Sequence, residues 1–420
     1  MRRPSWLNRT VVVLTLVSLT QDAASELLYP LLPILLTTVL GAPAAVVGII
    51  EGLAEAAAGA AKLISGRVSD RIGRKPVTGV GYALAALGKV FVAAAGAWPM
   101  VMVGRVTDRL GKGTRAAARD AWLASSVEPR HLGRAFGFHR MGDTVGAVIG
   151  PLLGLLILHV SHGDVRHALW IAVIPAVLSV ALVTLAAERR TTHSRGNRTA
   201  SHSPAMGTVL TDAQDSQSGR STPAAVAHNQ PLPTAFWRVA VTLAAISLVN
   251  FPDALLMLRL HDLGWSTNAI LLAYVAYNLV YTLASFPAGV LADRLPPATV
   301  YAIGLVFFAA AYLGLGTVAG DAHSWRTWAL LALYGLFPAC TDGVGKAWVS
   351  ALVPDAVRGR AQGYFQALGN GAVFAAGLWA GLMWNAGSGQ GVVPLQVSGV
   401  CGVVACVWML TAMRGAVRLR

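Results

Sequence analysis

Gly66-Arg67-Val68-Ser69-Asp70-Arg71-Ile72-Gly73-Arg74-Lys75 is a charged, glycine-bounded turn between two long apolar runs. A shortened copy, Gly289-Val290-Leu291-Ala292-Asp293-Arg294, follows 223 residues later. At an offset of 226, Ala121-Trp122 matches Ala347-Trp348, Gly133-Arg134-Ala135 matches Gly359-Arg360-Ala361, and Gly137 matches Gly363. Composition alone does not produce such agreement at nearly one offset. It indicates two parallel copies of one unit, each cut by the same kind of turn.

The solvent of both copies follows from composition. Of 420 residues, 55% are hydrophobic and only 12% charged, where a soluble domain has roughly a quarter charged. Mean hydropathy is +0.58. The chain is built for lipid, which excludes a water-soluble enzyme. Apolar windows bounded by Gly, Pro and charge predict twelve spans, near 10–40, 43–66, 77–97, 99–125, 136–160, 168–187, 236–260, 267–291, 298–318, 327–353, 364–386 and 393–413. The fold class expected is all-α integral membrane, twelve transmembrane helices in two six-helix repeats. The net charge of +14 does not indicate nucleic acid, because the basic residues lie between apolar runs rather than on one polar face. Cys340, Cys401 and Cys406 sit in apolar stretches without a CxxC pair and read as core residues. The apolar run that follows Met1-Arg2-Arg3-Pro4 is longer than a signal-peptide core and reads as a retained first span.

Alternate connections are basic, among them Arg71-Ile72-Gly73-Arg74-Lys75, Arg130 to Arg134, Arg189-Arg190 and Arg358 to Arg360, while the intervening set is nearly free of Lys and Arg. By the positive-inside rule both termini face the cytoplasm. The abundance of Ala and of Arg over Lys suggests a bacterial source and hence its inner membrane. Residues 188–235, rich in Ser, Thr, Gly, His and Gln, read as a flexible cytoplasmic linker between bundles 1–187 and 236–420.

The first loop resembles the G-x-x-x-D-[RK]-x-G-[RK]-[RK] signature of the major facilitator superfamily, with Gly66, Asp70, Arg71, Gly73 and Arg74 in its gating positions. Its carboxylate is suited to cap a neighbouring helix N-terminus. The second copy has Pro296 and Pro297 in place of the later glycine and basic residue. In span five, Gly146-Ala147-Val148-Ile149-Gly150-Pro151-Leu152-Leu153-Gly154 is similar to the G-x-x-x-G-P-x-x-G signature of the drug:proton antiporters of that superfamily, and it equally suits plain helix packing. Gly146, Gly150 and Pro151 join the gating candidates. The resemblance implies a central cavity lined by spans one, four, seven and ten.

Charges within the spans are candidates for function or for structural pairs, since an unpaired one costs several kcal/mol. Span four carries Arg105, Asp108, Arg109, Lys112, Arg115, Arg119 and Asp120, a stripe about 140° wide and about 22 Å long at helical geometry. Asp22 and Glu26 on span one and Glu51 and Glu55 on span two are each one turn apart. These four are the proton-coupling candidates, Asp22 and Glu26 first because of their depth. Arg105, Asp108, Lys112 and Arg115, with Asp253, Tyr274 and Asn278 from the second half, are the substrate-binding candidates. Tyr274, Tyr277, Asn278 and Tyr281 form one face of span eight, as suited to packing as to ligand contact. Asp120 and Lys346 are 226 apart, so opposite charges end spans four and ten; either they attract when that end closes, assisted by Arg119 and Asp342, or each pairs within its own half, Asp120 with Arg71 or Arg74 and Lys346 with Asp342.

The reading is a secondary transporter acting as a monomer by alternating access, driven by protons and exporting a small organic solute, with an anion favoured. Import of an organic or phosphorylated anion, a lipid flippase and an intramembrane lipid-modifying enzyme are the alternatives. No Walker motif, HExxH pair or G-x-S-x-G elbow appears in the sequence, and neither cofactor nor metal is expected.

Overall fold

The computed structural model of the chain describes residues 4–29, 31–187, 230–318 and 325–412. Among these residues every regular element is helical, and the helices make up two six-helix repeats. Span one is Arg9–Leu28, prolonged by the short helix Leu31–Ile34 and the π-helical turn Leu35–Val39. Asn8 starts it, its side chain accepting from the Val11 amide. Spans two to six are Ala44–Ile72, Arg74–Ala93, Trp98–Ser125, Leu132–Val160 and Val165–Thr184; spans eight to twelve are Thr267–Ala292, Pro297–Thr317, Trp325–Ala351, Arg358–Leu382 and Val392–Ala412. Spans two and three are separated by Gly73 alone, at φ 107°, a backbone angle that a side chain disfavours.

Span seven departs from the expected unbroken 236–260. It is two helices, Thr234–Ser247 and Asp253–Asp262. Pro252 has no N–H to continue the ladder and drives Phe251 out of the helical region. The break delivers Asp253 to the head of the second piece. Of the expected linker, residues 188–229 lie outside the described residues, and Gln230 to Pro233 lead into span seven.

Lipid-facing surfaces are apolar: Leu156, Ile174, Leu283, Phe374 and Val404 are exposed, and Leu382 is 80% exposed. Among the described residues seven helices are long and apolar enough to cross a membrane on composition alone. Spans two, four, seven, ten and eleven fall outside that set, and spans two and four are the most heavily charged of them. Small residues let the charged helices nest. Cβ atoms placed on Gly88 and Gly104 would fall 2.5 and 2.7 Å from backbone oxygens of the facing helix, so spans three and four touch along their backbones. This crossing sets Lys89 of span three against Asp108 of span four. In each half the repeat-related tryptophans Trp122 and Trp348 are fully buried and anchor the inner core.

Candidate functional site

The two halves meet most tightly at the end that carries the loop signatures. There spans two and eleven cross at Gly66 and Gly359, and spans five and eight at Gly133 and Gly289; a Cβ on Gly66 would fall 2.3 Å from the Gly359 carbonyl oxygen, and one on Gly289 2.2 Å from that of Gly133. The carboxylate of Asp70 accepts from the amides of Gly359 (2.8 Å) and Arg360 (2.7 Å) at the head of span eleven. Asp293 accepts likewise from Gly133 (2.7 Å) and Arg134 (3.2 Å) at the head of span five. Each acid thus caps a helix of the other half, where the exposed N–H groups and the helix dipole favour a negative charge. Arg74 reaches Asp355 at 3.1 Å. Deeper in, Lys346 of span ten meets Asp120 of span four at 2.9 Å, and Gln366 of span eleven donates to the same carboxylate. Arg119 bridges to Asp120 (3.1 Å) and Asp143 (3.8 Å) instead of the expected Asp342, which Arg140 holds at 2.8 Å.

Beyond this seal a cavity of about 380 Å³ opens between the halves. Its described lining includes Asp22 of span one, Glu55 and Lys62 of span two, Lys112, Arg115 and Arg119 of span four, and Arg140 and Asp143 of span five. The second half adds Asn250, Tyr301, Phe337, Asp342, Lys346, Gln366 and Asn370. Six basic side chains therefore face four acidic ones, and nearly all the charge comes from the first half. Each acid has a guanidinium beside it: Asp22 has Arg115 at 3.9 Å, Glu55 has Arg109 at 3.4 Å, Asp143 and Asp342 share Arg140 at 2.8 Å. The Asp143 carboxyl also lies within hydrogen-bonding reach of Asp22.

The sequence-predicted residues divide between this cavity and its surroundings. Asp22, Glu55, Lys112, Arg115, Arg119, Asp342 and Lys346 line it. Arg105 lies behind it, buried, its guanidinium gripping both oxygens of Glu51 at 2.7 and 3.1 Å. Asp108 is held by Lys89 at 2.6 Å and by Arg105 at 3.4 Å. Glu26 takes the Tyr274 hydroxyl at 3.5 Å across the halves. Asp253 accepts from the hydroxyls of Tyr277 (2.5 Å) and Tyr334, and the Asn278 amide bonds the Tyr274 carbonyl. Arg71 lies in the last turn of span two, which Gly73 ends. The tyrosines of span eight thus spend their hydroxyls on carboxylates: Tyr281, too, donates to Asp342 at 2.5 Å. Gly146 and Gly150 lie against span one, where added Cβ atoms would fall 2.5 and 2.7 Å from the carbonyls of Leu19 and Ala23. Pro151 stands within that helix.

Sequence reasoning missed Lys89, Arg140, Asp143 and the buried His139, whose Nε2 is 3.5 Å from the Ser18 hydroxyl. A signal existed for each. All four are ionisable residues inside apolar windows, the same cost that singled out span four. The small-residue signature of span five drew attention away from the two charges a turn earlier.

Comparison with known proteins places this architecture. The family model described as Major Facilitator Superfamily matches residues 14–256 and 239–418. The chain is 27% identical, over 90% of its length and 89% of the other's, to an uncharacterized MFS-type transporter of Methanocaldococcus jannaschii. It is 33% identical to the multidrug resistance protein MdtH of Photorhabdus laumondii over 31% of this chain and 32% of that protein. Among solved structures, the human organic anion transporter MFSD10 superposes with TM-score 0.74 at 18% identity, covering 96% of this chain and all of the other. The proton:xylose symporter XylE gives TM-score 0.74 at 17% identity over 96% and 94%.

Proposed function

The chain belongs to the major facilitator superfamily, and we propose that within it the protein is a proton-coupled secondary transporter of a small organic anion. That it is a multi-pass membrane transporter and not an enzyme follows from the family. The further reading rests on one observation: the cavity between the halves has six basic side chains against four acidic ones, and every acid already has a guanidinium partner. A low-dielectric pocket with surplus positive charge favours an anion over a cation. The cross-half pair Asp120–Lys346 and the caps of Asp70 and Asp293 belong to one side of an alternating cycle. They must part when the cavity opens the other way, so they bias it by their differential free energy. With both termini cytoplasmic, that closed side is the cytoplasmic one and the cavity faces outward in a bacterial inner membrane. The protein acts as a monomer, and residues 188–235 tether its two bundles.

Protons enter this scheme at Asp22. Two carboxyl groups within hydrogen-bonding reach, here Asp22 and Asp143, favour sharing a proton over carrying two charges. Neutralising Asp22 adds to the surplus positive charge of the cavity, so an anion and a proton bind together and move the same way. A second reading, export of a cationic drug in exchange for protons, is favoured by the likeness to MdtH over a third of the chain and by Gly146, Gly150 and Pro151. It places the cation at Asp22 and Glu55, in competition with the proton.

The test uses proteoliposomes with an imposed pH gradient, offering inorganic phosphate and succinate against ethidium and tetraphenylphosphonium. Accumulation of an anion along with the proton, abolished in Asp22→Asn, supports the first reading. Gradient-driven movement of the cations alone overturns it in favour of the second.

A further inference from the structure

Lys62 and Lys112 differ from every other cation of the cavity. The arginines and Lys346 each have a carboxylate within 4 Å. Among the described residues neither Lys62 nor Lys112 has one, although Glu55 lines the same cavity. The two ammonium groups come from facing helices, spans two and four, and Lys62 stands in the like-charged field of Lys112, Lys346 and Arg109. Lys62 is only 8% exposed, whereas Lys112 is open to the cavity. Across the gap, the Asn370 side chain of span eleven, oriented from its hydrogen-bonding surroundings with its oxygen inward, accepts from Nζ of Lys62, and its nitrogen donates to the Gln366 carbonyl at 3.3 Å.

Holding two ammonium groups together, one of them buried, raises the energy of the empty protein. The chain has carboxylates to spare nearby, but it commits them to Arg109, Arg115 and Arg140. Glu55 and Asp22 offset part of this repulsion from beyond 4 Å, and a negative group from outside relieves the rest. We propose that Lys62, Lys112 and Asn370 form the subsite that binds the anionic group, carboxylate or phosphoryl, of the transported solute. The two lysines grip its oxygens as compact point charges with rotatable donors, and the second N–H of the Asn370 amide, the one not given to the Gln366 carbonyl, donates to it from the second half. Because the three residues span both halves, the occupied subsite draws the halves together, as a substrate must in alternating access. Arg115 stays beside Asp22, which separates the place of the anion from that of the proton. The proposal rests on the anion reading above and adds to it the residues and the chemistry of recognition.

The experiment measures binding of inorganic phosphate, sulfate, acetate and succinate to the purified full-length protein in detergent by calorimetry, beside the proteoliposome assay. Acetate and succinate report a carboxylate preference, phosphate and sulfate an oxyanion one. Lys112→Gln, at a side chain open to the cavity, is expected to weaken the best-bound anion tenfold to a hundredfold, roughly the worth of a charge-assisted hydrogen bond. Lys62→Gln should do the same, Lys112→Arg should recover most of the affinity, and the two glutamine variants together should abolish binding. If wild-type protein binds none of the four anions, or if both glutamine variants bind as wild type does, the subsite is wrong. Anion accumulation in vesicles that survives both substitutions overturns the subsite while the transporter reading stands. Movement of cations alone overturns that reading itself.

Discussion

The junction of spans two and eleven and the junction of spans five and eight share a backbone and differ in their fasteners. Both cross on a pair of glycines too close for a Cβ, and both place an aspartate across the head of the opposing helix. Around the first, Arg74 pairs with Asp355 at 3.1 Å, and Arg67 lies 5.2 Å over the Tyr364 ring and donates to its hydroxyl. At the second, the repeat counterparts of Arg74 and Asp355 are Pro297 and Pro129, so that ion pair is lost from both sides at once. Phe138 stands where Tyr364 does in the other copy, and it packs with Phe286 (6.3 Å) and Trp6 (5.9 Å); Trp6 also stacks on Phe286 at 5.6 Å. Glycine contact and helix cap are what the crossing requires; the rest is interchangeable. The first joint adds the half-exposed pair of Arg74 with Asp355 and the second adds aromatic packing beside the more buried pair of Arg134 with Asp293 at 3.3 Å, so the first is the more readily screened by salt.

The largest effect should come from filling the crossings. Gly66→Val and Gly289→Val each force helices apart and are expected to cost the closed state about 1–3 kcal/mol, roughly fivefold or more in the closed-to-open ratio. Distances between spin labels across each junction report this. If Gly289→Val is tolerated while Gly66→Val is not, the two crossings are not equivalent and the comparison breaks.

Removing the caps should matter next. Asp70→Asn and Asp293→Asn keep the shape but replace one of the two accepting oxygens at a helix head by an N–H donor, at about 0.5–2 kcal/mol each. Transport rates and label distances should change several-fold and in the same direction for both. A change in one alone places the mechanical weight on a single junction.

The fasteners should separate the two sides. Asp355 is half exposed, so Arg74→Gln should cost under about 1 kcal/mol, and raising salt in wild type should mimic it. Trp6→Ala should cost about 0.5–1.5 kcal/mol at the junction of spans five and eight and be indifferent to salt. A cost of Trp6→Ala that shrinks with added salt as much as the cost of Arg74→Gln does would remove the distinction.

The smallest expected effect is one of pH. Burial pushes the Asp293 carboxyl up to about 6 from an ordinary 3.8. A carboxyl whose pKa is raised on closing takes up a proton as the junction closes, so closure is favoured as pH falls from about 6 towards 4 and is disfavoured as pH rises through 6. The neutral carboxyl still has an oxygen for a backbone amide. Label distances between spans five and eight should therefore shorten slightly on acidification, and Asp293→Asn should flatten that response. An unchanged response in the variant assigns it to another group.

Much of this molecule is determined by the sequence alone, because the quantities involved are local or periodic. Hydropathy windows locate the spans, the offsets of 223 and 226 expose the repeat, and the carboxylate at Asp70 announces a cap. The contact between Asp120 and Lys346 followed from the repeat, since repeat-related helix ends meet on the symmetry axis. The break in span seven was written in Pro252 but hidden by the apolar run around it. The tertiary structure decided which charges are consumed and which remain. Arg105 with Glu51 and Asp108 with Lys89 are bound behind the cavity, whereas Lys62 and Lys112 face it without a carboxylate within 4 Å. Nothing in the sequence separates these groups, because all are charges in apolar helices at similar depth. Their pairing depends on how far each helix is rotated and how closely it approaches its neighbour. Those quantities are set by glycine contacts between residues distant in sequence, such as Gly88 with Gly104, where a shift of a few ångströms decides whether an ion pair forms.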